Sequence, residues 1–245
     1  MATSASPLEQ FAIKRLYEVH IGGLDVSITN SAVFMLVAIV LATAFLTLGM
    51  RQHALVPGRW QSMVELSYEF IAKMVRENVG NEGMRYFPFI FTLFMFILFC
   101  NLIGLVPYSF TVTSHIIVTF VMAAVVFLGV TVIGFVRHGR HFLSLFAPAG
   151  VPILLLPLII IIEVLSYLTR PISLSVRLFA NMMAGHTMLK VFAGFVVALG
   201  VLLGWAPLAF IVALTALELG IAILQAYVFA ILTCIYLNDA INLHH

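Results

Sequence analysis

The stretch Glu163-Val164-Leu165-Ser166-Tyr167-Leu168-Thr169-Arg170-Pro171-Ile172-Ser173-Leu174-Ser175-Val176-Arg177-Leu178-Phe179-Ala180-Asn181 decides how this chain folds. Apolar sequence continues on both sides of it, from about residue 151 to about 204. Glu163, Ser166, Arg170, Ser173, Arg177 and Asn181 follow steps of 3, 4, 3, 4 and 4, with Ile, Leu, Val and Phe between them. That spacing puts all six on one face of a helix. A polar stripe on an otherwise apolar helix faces water, a partner or an ion path. Hydrogen-bonding glue between helices accounts for Ser166, Ser173 and Asn181 but poorly for two arginines and a glutamate. Arg177 is the sharpest signal. A guanidinium does not give up its proton in a protein, and holding one at the centre of a membrane helix costs roughly 2.5–3.5 kcal/mol on insertion scales.

The whole chain agrees with a membrane reading. Hydrophobic residues make up 63% of its 245 residues and charged residues 9%, with a mean hydropathy of +1.15. A soluble domain carries roughly 25% charged residues. The net charge of +2 gives no reason to expect a nucleic-acid partner. Cys100 and Cys234 lie inside apolar segments without ligand-type spacing, so neither a disulfide nor a metal site is expected. No phosphate-binding glycine-rich loop and no cofactor motif is present in the sequence. The polar, mixed-charge lead of some thirty residues does not fit a cleavable signal peptide, although Ala42-Thr43-Ala44 has small-residue character.

Six apolar segments stand out, at about 31–50, 87–107, 115–136, 151–169, 172–204 and 207–237. The first three match the roughly 20 residues that span a bilayer. Only Arg170-Pro171 separates the fourth from the fifth, so the two read as one long helix or a proline-kinked pair. The expected fold is an all-α integral membrane protein of about five membrane helices. It forms a single membrane domain over 1–245: an external region 1–30, a first span 31–50, an amphipathic surface helix 58–85, a spanning hairpin 87–136, and two long tilted helices, 151–204 and 207–240. In the surface helix Trp60, Met63, Val64, Ile71, Met74 and Val75 share one face, and Glu65, Glu69, Lys73 and Arg76 another. Lys and Arg gather in the 51–86 and 137–141 connections and are missing from the 108–114 turn. The positive-inside rule then places both basic connections and the C-terminus in the cytoplasm, and the N-terminus outside.

The last two apolar segments hold further polar residues. His186 lies nine residues beyond Arg177, so on a straight helix it points about half a turn away and sits about 13.5 Å along the axis. The two cannot pair directly and read as serving separate places along one path. Glu218 and Gln225 are seven residues apart and so nearly share a face. A lone carboxyl in apolar surroundings tends to take up a proton, and a histidine beside it titrates near neutrality. His186 and Glu218 are therefore a candidate proton relay. Gln225 offers an amide beside the arginine, the small Ala180, Ala184 and Gly185 let another helix approach, and Lys190 reads as a snorkelling side chain.

The string from Arg170 through Arg177 and Asn181 to Gly185-His186 resembles the signature of subunit a of the F-type ATP synthase. Leu224-Gln225-Ala226-Tyr227-Val228-Phe229 followed by Leu232-Thr233 is similar to that family's second signature, and Asn101-Leu102-Ile103-Gly104-Leu105-Val106-Pro107 to its motif in the second span. The resemblance implies a membrane stator beside a rotating ring of c subunits, with b-type peripheral-stalk subunits and the rest of the synthase as partners, H⁺ as the translocated ion and lipid around it. It implies that Arg177 faces the ring carboxylate, that Asn181 and Gln225 lie near the arginine, and that Glu163 and Ser173 belong to two offset half-channels. Some bacterial members carry a glutamate where His186 stands and a histidine where Glu218 stands; this chain resembles the exchanged arrangement, seen also in mitochondrial-type members. Some carry an acidic residue where Gly104 stands. No cofactor is implied, and nucleotide chemistry belongs elsewhere in the complex. The expected location is a bacterial inner membrane, with the mitochondrial inner membrane as the alternative. Two other classes remain open at this point: a self-contained secondary ion or proton transporter, against which stands the lack of any internal repeat, and a structural membrane assembly component whose polar residues are helix glue.

Overall fold

A computed structural model describes residues 11–18, 20–21, 24–25, 27–51, 57–106, 109–146, 152 and 154–242. Residues 1–10 of the expected external region, Pro107 of the second-span motif and Val151 at the start of the fourth segment lie outside the described residues. The chain opens with four short strands, β1 (Arg15–Tyr17), β2 (His20–Ile21), β3 (Leu24–Asp25) and β4 (Ile28–Thr29). β1 pairs antiparallel with β4, and β2 with β3, as nested hairpins. Six helices follow: α1 (Asn30–Gly49), α2 (Arg59–Val79), α3 (Phe87–Gly104), α4 (Ile116–His138), α5 (Leu156–Leu203) and α6 (Trp205–Ile241). All but α2 belong to the five spans, among the described residues, that are apolar and long enough to cross a membrane.

α5 passes through Pro171 without ending. Proline removes one intrahelical hydrogen bond, but the apolar face on either side of Arg170-Pro171 is the same, and burial of Tyr167, Leu174, Leu178 and Met182 keeps the helix in register. The break comes at Gly200 instead, where φ is +64°, a value glycine adopts without the Cβ clash other residues meet. Gly204 completes the reversal: a Cβ there would lie 2.5 Å from the Gly200 carbonyl oxygen and 2.9 Å from that of Val196. At 1.5 Å per residue, α5 up to Gly200 is about 67 Å long and α6 about 55 Å, against a hydrocarbon core of about 30 Å, so both tilt strongly.

α6 is the hub of the bundle. Ala222, Ala226, Ala230 and Cys234, at four-residue spacing, are fully buried, and small side chains at that spacing let neighbouring helices approach closely. Both cysteines are buried against helices. α2 contributes Ile71, Met74, Val75 and Val79 to the same core as Phe229, Leu237 and Ile241 of α6. Val64, Ile71, Met74 and Val75 from its expected apolar face are buried, whereas Trp60 and Met63 are exposed: the first turns pack only on the end of α1, Val64 against Gly49 and the Trp60 ring edge-on to Phe45, which leaves most of those two side chains uncovered. The helix stops at Gly80, whose φ is +81°, and a separate 3-10 segment, Asn81–Tyr86, leads into α3. The 51–86 and 137–141 connections meet at one end of the bundle, where Arg137 pairs with Glu82. His138 Nε2 lies 3.0 Å from the carbonyl oxygen of Ile241 at the C-terminal end of α6. The β-hairpins, the 109–115 connection and the Gly200–Gly204 turn lie towards the other end.

Candidate functional site

α5 and α6 run antiparallel, and three polar contacts fix their register. Arg170 Nη1 donates to Asp239 Oδ2 at 2.9 Å, Asn181 Nδ2 donates to Gln225 Oε1 at 3.1 Å, and His186 Nδ1 lies 3.6 Å from Glu218 Oε1. As numbers rise along α5 they fall along α6, so the contacts form successive rungs from the basic end to the opposite end. The Arg170–Asp239 rung also carries two rings: the guanidinium carbon lies 5.3 Å from the Tyr167 ring centre and 4.9 Å from that of Tyr236. Tyr167 hydroxyl and Thr131 Oγ1 of α4 are 2.7 Å apart. Arg170 belongs to the stripe visible in the sequence; its contact with Asp239, 69 residues away in the chain, is new from the structure.

The polar stripe divides along its length. At 100° per residue it covers about 80° of the helix. Glu163, Arg170 and Asn181 occupy the edge nearer the bundle and are half-buried, while Ser166, Ser173 and Arg177 occupy the outer edge and are exposed. Among the described residues, Arg177, Glu163 and Ser173 have no hydrogen-bond or ion-pair partner. Arg177 sits on an uncovered face with Ser173 one turn before it and Ala180 and Ala184 after it, all exposed. An arginine surrounded by small residues leaves room for another surface to come close.

His186 points away from that face. Its Nε2 is 3.1 Å from Thr111 Oγ1, and the Phe11 ring stands edge-on to it with centroids 6.4 Å apart. Glu218 is buried, and neither of its carboxyl oxygens has a hydrogen-bond partner among the described residues. Gly185 makes its approach possible, since a Cβ at 185 would lie 2.9 Å from Glu218 Cδ. His186 and Glu218 line a cavity of about 800 Å³ together with Lys14, Asn30, Thr111 and Lys190. Lys190 thus shares the cavity with His186 and Glu218. Gly104 sits at the same place: a Cβ there would come 2.7 Å from Thr111 Cγ2, so a larger residue would displace the threonine that meets His186.

Thr111, Phe11 and the Asn101 cluster were missed as site residues in the sequence. Asn101 Nδ2 donates to the Ala222 carbonyl at 3.1 Å and Asn101 Oδ1 accepts from Thr113 Oγ1 at 2.9 Å, which ties α3 and the 109–115 connection to α6 one turn from Gln225. A polar amide in an apolar span, followed by the Thr111-Val112-Thr113-Ser114 run, was the available signal.

Five apolar spans among the described residues, with an arginine on an open face and a His–carboxyl pair in a separate cavity, are features of a membrane protein that handles ions. A family model described as ATP synthase A chain matches residues 32–238. The chain is 57% identical to ATP synthase subunit a of Pelagibacter ubique over 246 aligned residues, covering 100% of both chains. It is 61% identical to that of Parvibaculum lavamentivorans, covering 98% of this chain and 94% of the relative, and 59% identical to that of Paramagnetospirillum magneticum, covering 98% and 100%. The chain belongs to the ATP synthase subunit a family. It is the proton-translocating stator subunit of an F-type synthase, acts within that complex and has no catalytic nucleotide site of its own. It is a multi-pass protein of the bacterial inner membrane.

Proposed function

We propose that Arg177 meets the ionised carboxylate of a rotating c-ring and separates two half-channels. One is the external cavity with His186 and Glu218; the other runs from the basic end past Glu163 and Ser173 to the arginine, with the Asn181–Gln225 pair one turn beyond it towards the cavity. The observation that carries this reading is the unpaired Arg177 on an exposed, small-residue face. A proton enters one half-channel and neutralises a ring carboxyl, which can then face lipid without the cost of a buried ion. After most of a turn the site reaches the other half-channel, where Arg177 favours the ionised form and helps release the proton. At about 4 Å and an effective dielectric near 20 that attraction is about 4 kcal/mol, against about 2.3 kcal/mol of work per charge per 100 mV. The local pair therefore outweighs a 100 mV field, and an ionised ring site stays at Arg177 until it is protonated.

A cysteine at Ala180 or Ala184 should cross-link to a cysteine beside the ring carboxylate, while one at Leu178, buried on the opposite side of α5, should not. Equal yields at all three would place the ring elsewhere. Both native cysteines are buried and give little background.

The basic end is assigned to the cytoplasm, so that the cavity opens outside and the C-terminus lies inside. Cysteines at Glu69 and Lys73, both exposed on α2, should react with an impermeant thiol reagent from the cytoplasmic side only; labelling from outside alone would reverse the topology. We assign b-type stalk subunits to this end, where the exposed Trp60, Leu66 and Phe70 of α2 offer them apolar surface.

A further inference from the structure

The cavity around His186 has one wall that no spanning helix supplies. Phe11 precedes α1 by 19 residues, yet it is only 8% exposed. The segment from Phe11 to Lys14 is pinned across the cavity by Asn30, the first residue of α1. Asn30 Oδ1 accepts from the Lys14 backbone N–H at 3.2 Å, and its Nδ2 donates to the Ala12 carbonyl at 3.2 Å. The Asn30 backbone N–H donates to the Lys14 carbonyl at 3.1 Å. The β1–β4 pairing continues the same strap, with Arg15 opposite Thr29. Its product is the placement of one ring: Phe11 meets the His186 imidazole at 6.4 Å between centroids and 61° between planes.

Four elements therefore converge on this imidazole. The α3–α4 connection brings Thr111, α6 brings Glu218, α5 brings Lys190 one turn further on, and the strap brings Phe11. The Nδ1 to Oε1 separation of 3.6 Å is beyond a hydrogen bond. Proton exchange across it depends on how the ring is held, and the imidazole borders about 800 Å³ of open space into which it could turn. We infer that Phe11 is a positioning residue for proton transfer: the strap holds its ring edge against His186 so that both ring nitrogens keep facing Thr111 and Glu218. The inference rests on the reading that His186 lies in the proton path.

Among the described residues, the charged or titratable groups around His186 are Glu218 from α6, Lys190 from α5 and Lys14 from the strap, with His115 one ring removed, stacked on Phe110 at 5.0 Å. Phe11 carries no charge. A change in pH profile when it is removed thus reports the placement of the imidazole and not a deleted charge.

The test uses the assembled synthase in inverted vesicles, with ATP-driven proton pumping read across a pH series. Phe11→Ala should slow pumping about three- to tenfold, the range an aromatic contact supports, and shift the pH profile. Phe11→Tyr, which keeps the ring edge, should restore both. Asn30→Ala, which unpins the strap, should reproduce the Phe11→Ala profile. Added to His186→Ala, the Phe11→Ala change should reduce the residual flux no further. Unchanged pumping and profile in Phe11→Ala, a Tyr variant behaving like Ala, or an equal fractional loss with and without His186 would each overturn the inference. Normal pumping by His186→Ala alone would remove the proton-path reading itself, and the inference with it. The pH profile and the tyrosine rescue decide the matter whatever the size of the His186→Ala residual flux.

Discussion

A synthase carrying Arg177→Ala should assemble, hydrolyse ATP and pump no protons: ATP-driven acidification of inverted vesicles should fall at least about a hundredfold, below detection. Assembly survives because among the described residues Arg177 holds no neighbour by a hydrogen bond or ion pair and lies on an uncovered face. Truncating it breaks no rung between α5 and α6. Pumping fails because the cation that keeps an arriving ring carboxyl ionised is gone, and about 4 kcal/mol of attraction at close range corresponds to nearly a thousandfold in the ionisation equilibrium. Arg177→Lys fails too. An ammonium is a compact, strongly hydrated point charge without the planar fork of a guanidinium. Intact pumping by an assembled Arg177→Ala complex, with c-ring and stalk present, contradicts the role.

The second large effect falls on His186 and Glu218. His186→Ala and Glu218→Ala should each slow proton flux by about a hundredfold, the scale of a positioned acid–base group, with ring assembly unchanged. Because the groups sit 3.6 Å apart and the carboxyl oxygens have no hydrogen-bond partner among the described residues, their titrations should be coupled. The double variant should therefore be little worse than the poorer single one. Exchanging the two, His186→Glu with Glu218→His, should recover part of the flux by restoring one imidazole and one carboxyl. Multiplicative losses without recovery on exchange would show that the two residues act separately.

Much of this architecture was legible in the chain because it rests on length and period. Apolar runs near twenty residues give spans wherever they occur, and Arg170-Pro171 contains no loop chemistry, so one helix continues across it. The stripe from Glu163 to Asn181 was visible as steps of three and four. Periodicity identifies which face differs; it does not say what covers that face. Arg177 and Asn181 belong to one stripe, yet one is exposed and the other bonds Gln225, because α6 lies against only one edge of it. The same limit explains α2, where Trp60 and Met63 share the apolar face with Ile71 and Met74 but stay exposed, because only the end of α1 packs on the first turns.

Contacts set by the tertiary path were not legible. Arg170 and Asp239 are separated by 69 residues, and their pairing follows from the antiparallel register of two long helices. Phe11 sits in a polar lead that resembles a tail until Asn30 folds it back. Thr111 stands in a short turn that registered mainly for having no lysine or arginine. The Gly200 break within a glycine- and leucine-rich apolar run needed the backbone angle itself, because Gly194 and Gly204 stand nearby in similar surroundings.

The central claim is that Arg177 keeps the two half-channels from exchanging protons except through the rotating ring. It is tested most directly by proton flux under an imposed membrane potential, in vesicles whose ring has been locked to this subunit by a cross-link. With Arg177 present, locking the ring should stop the flux. With Arg177→Ala, the locked complex should still leak protons from one half-channel to the other. A locked Arg177→Ala complex as tight as the locked parent would contradict the account.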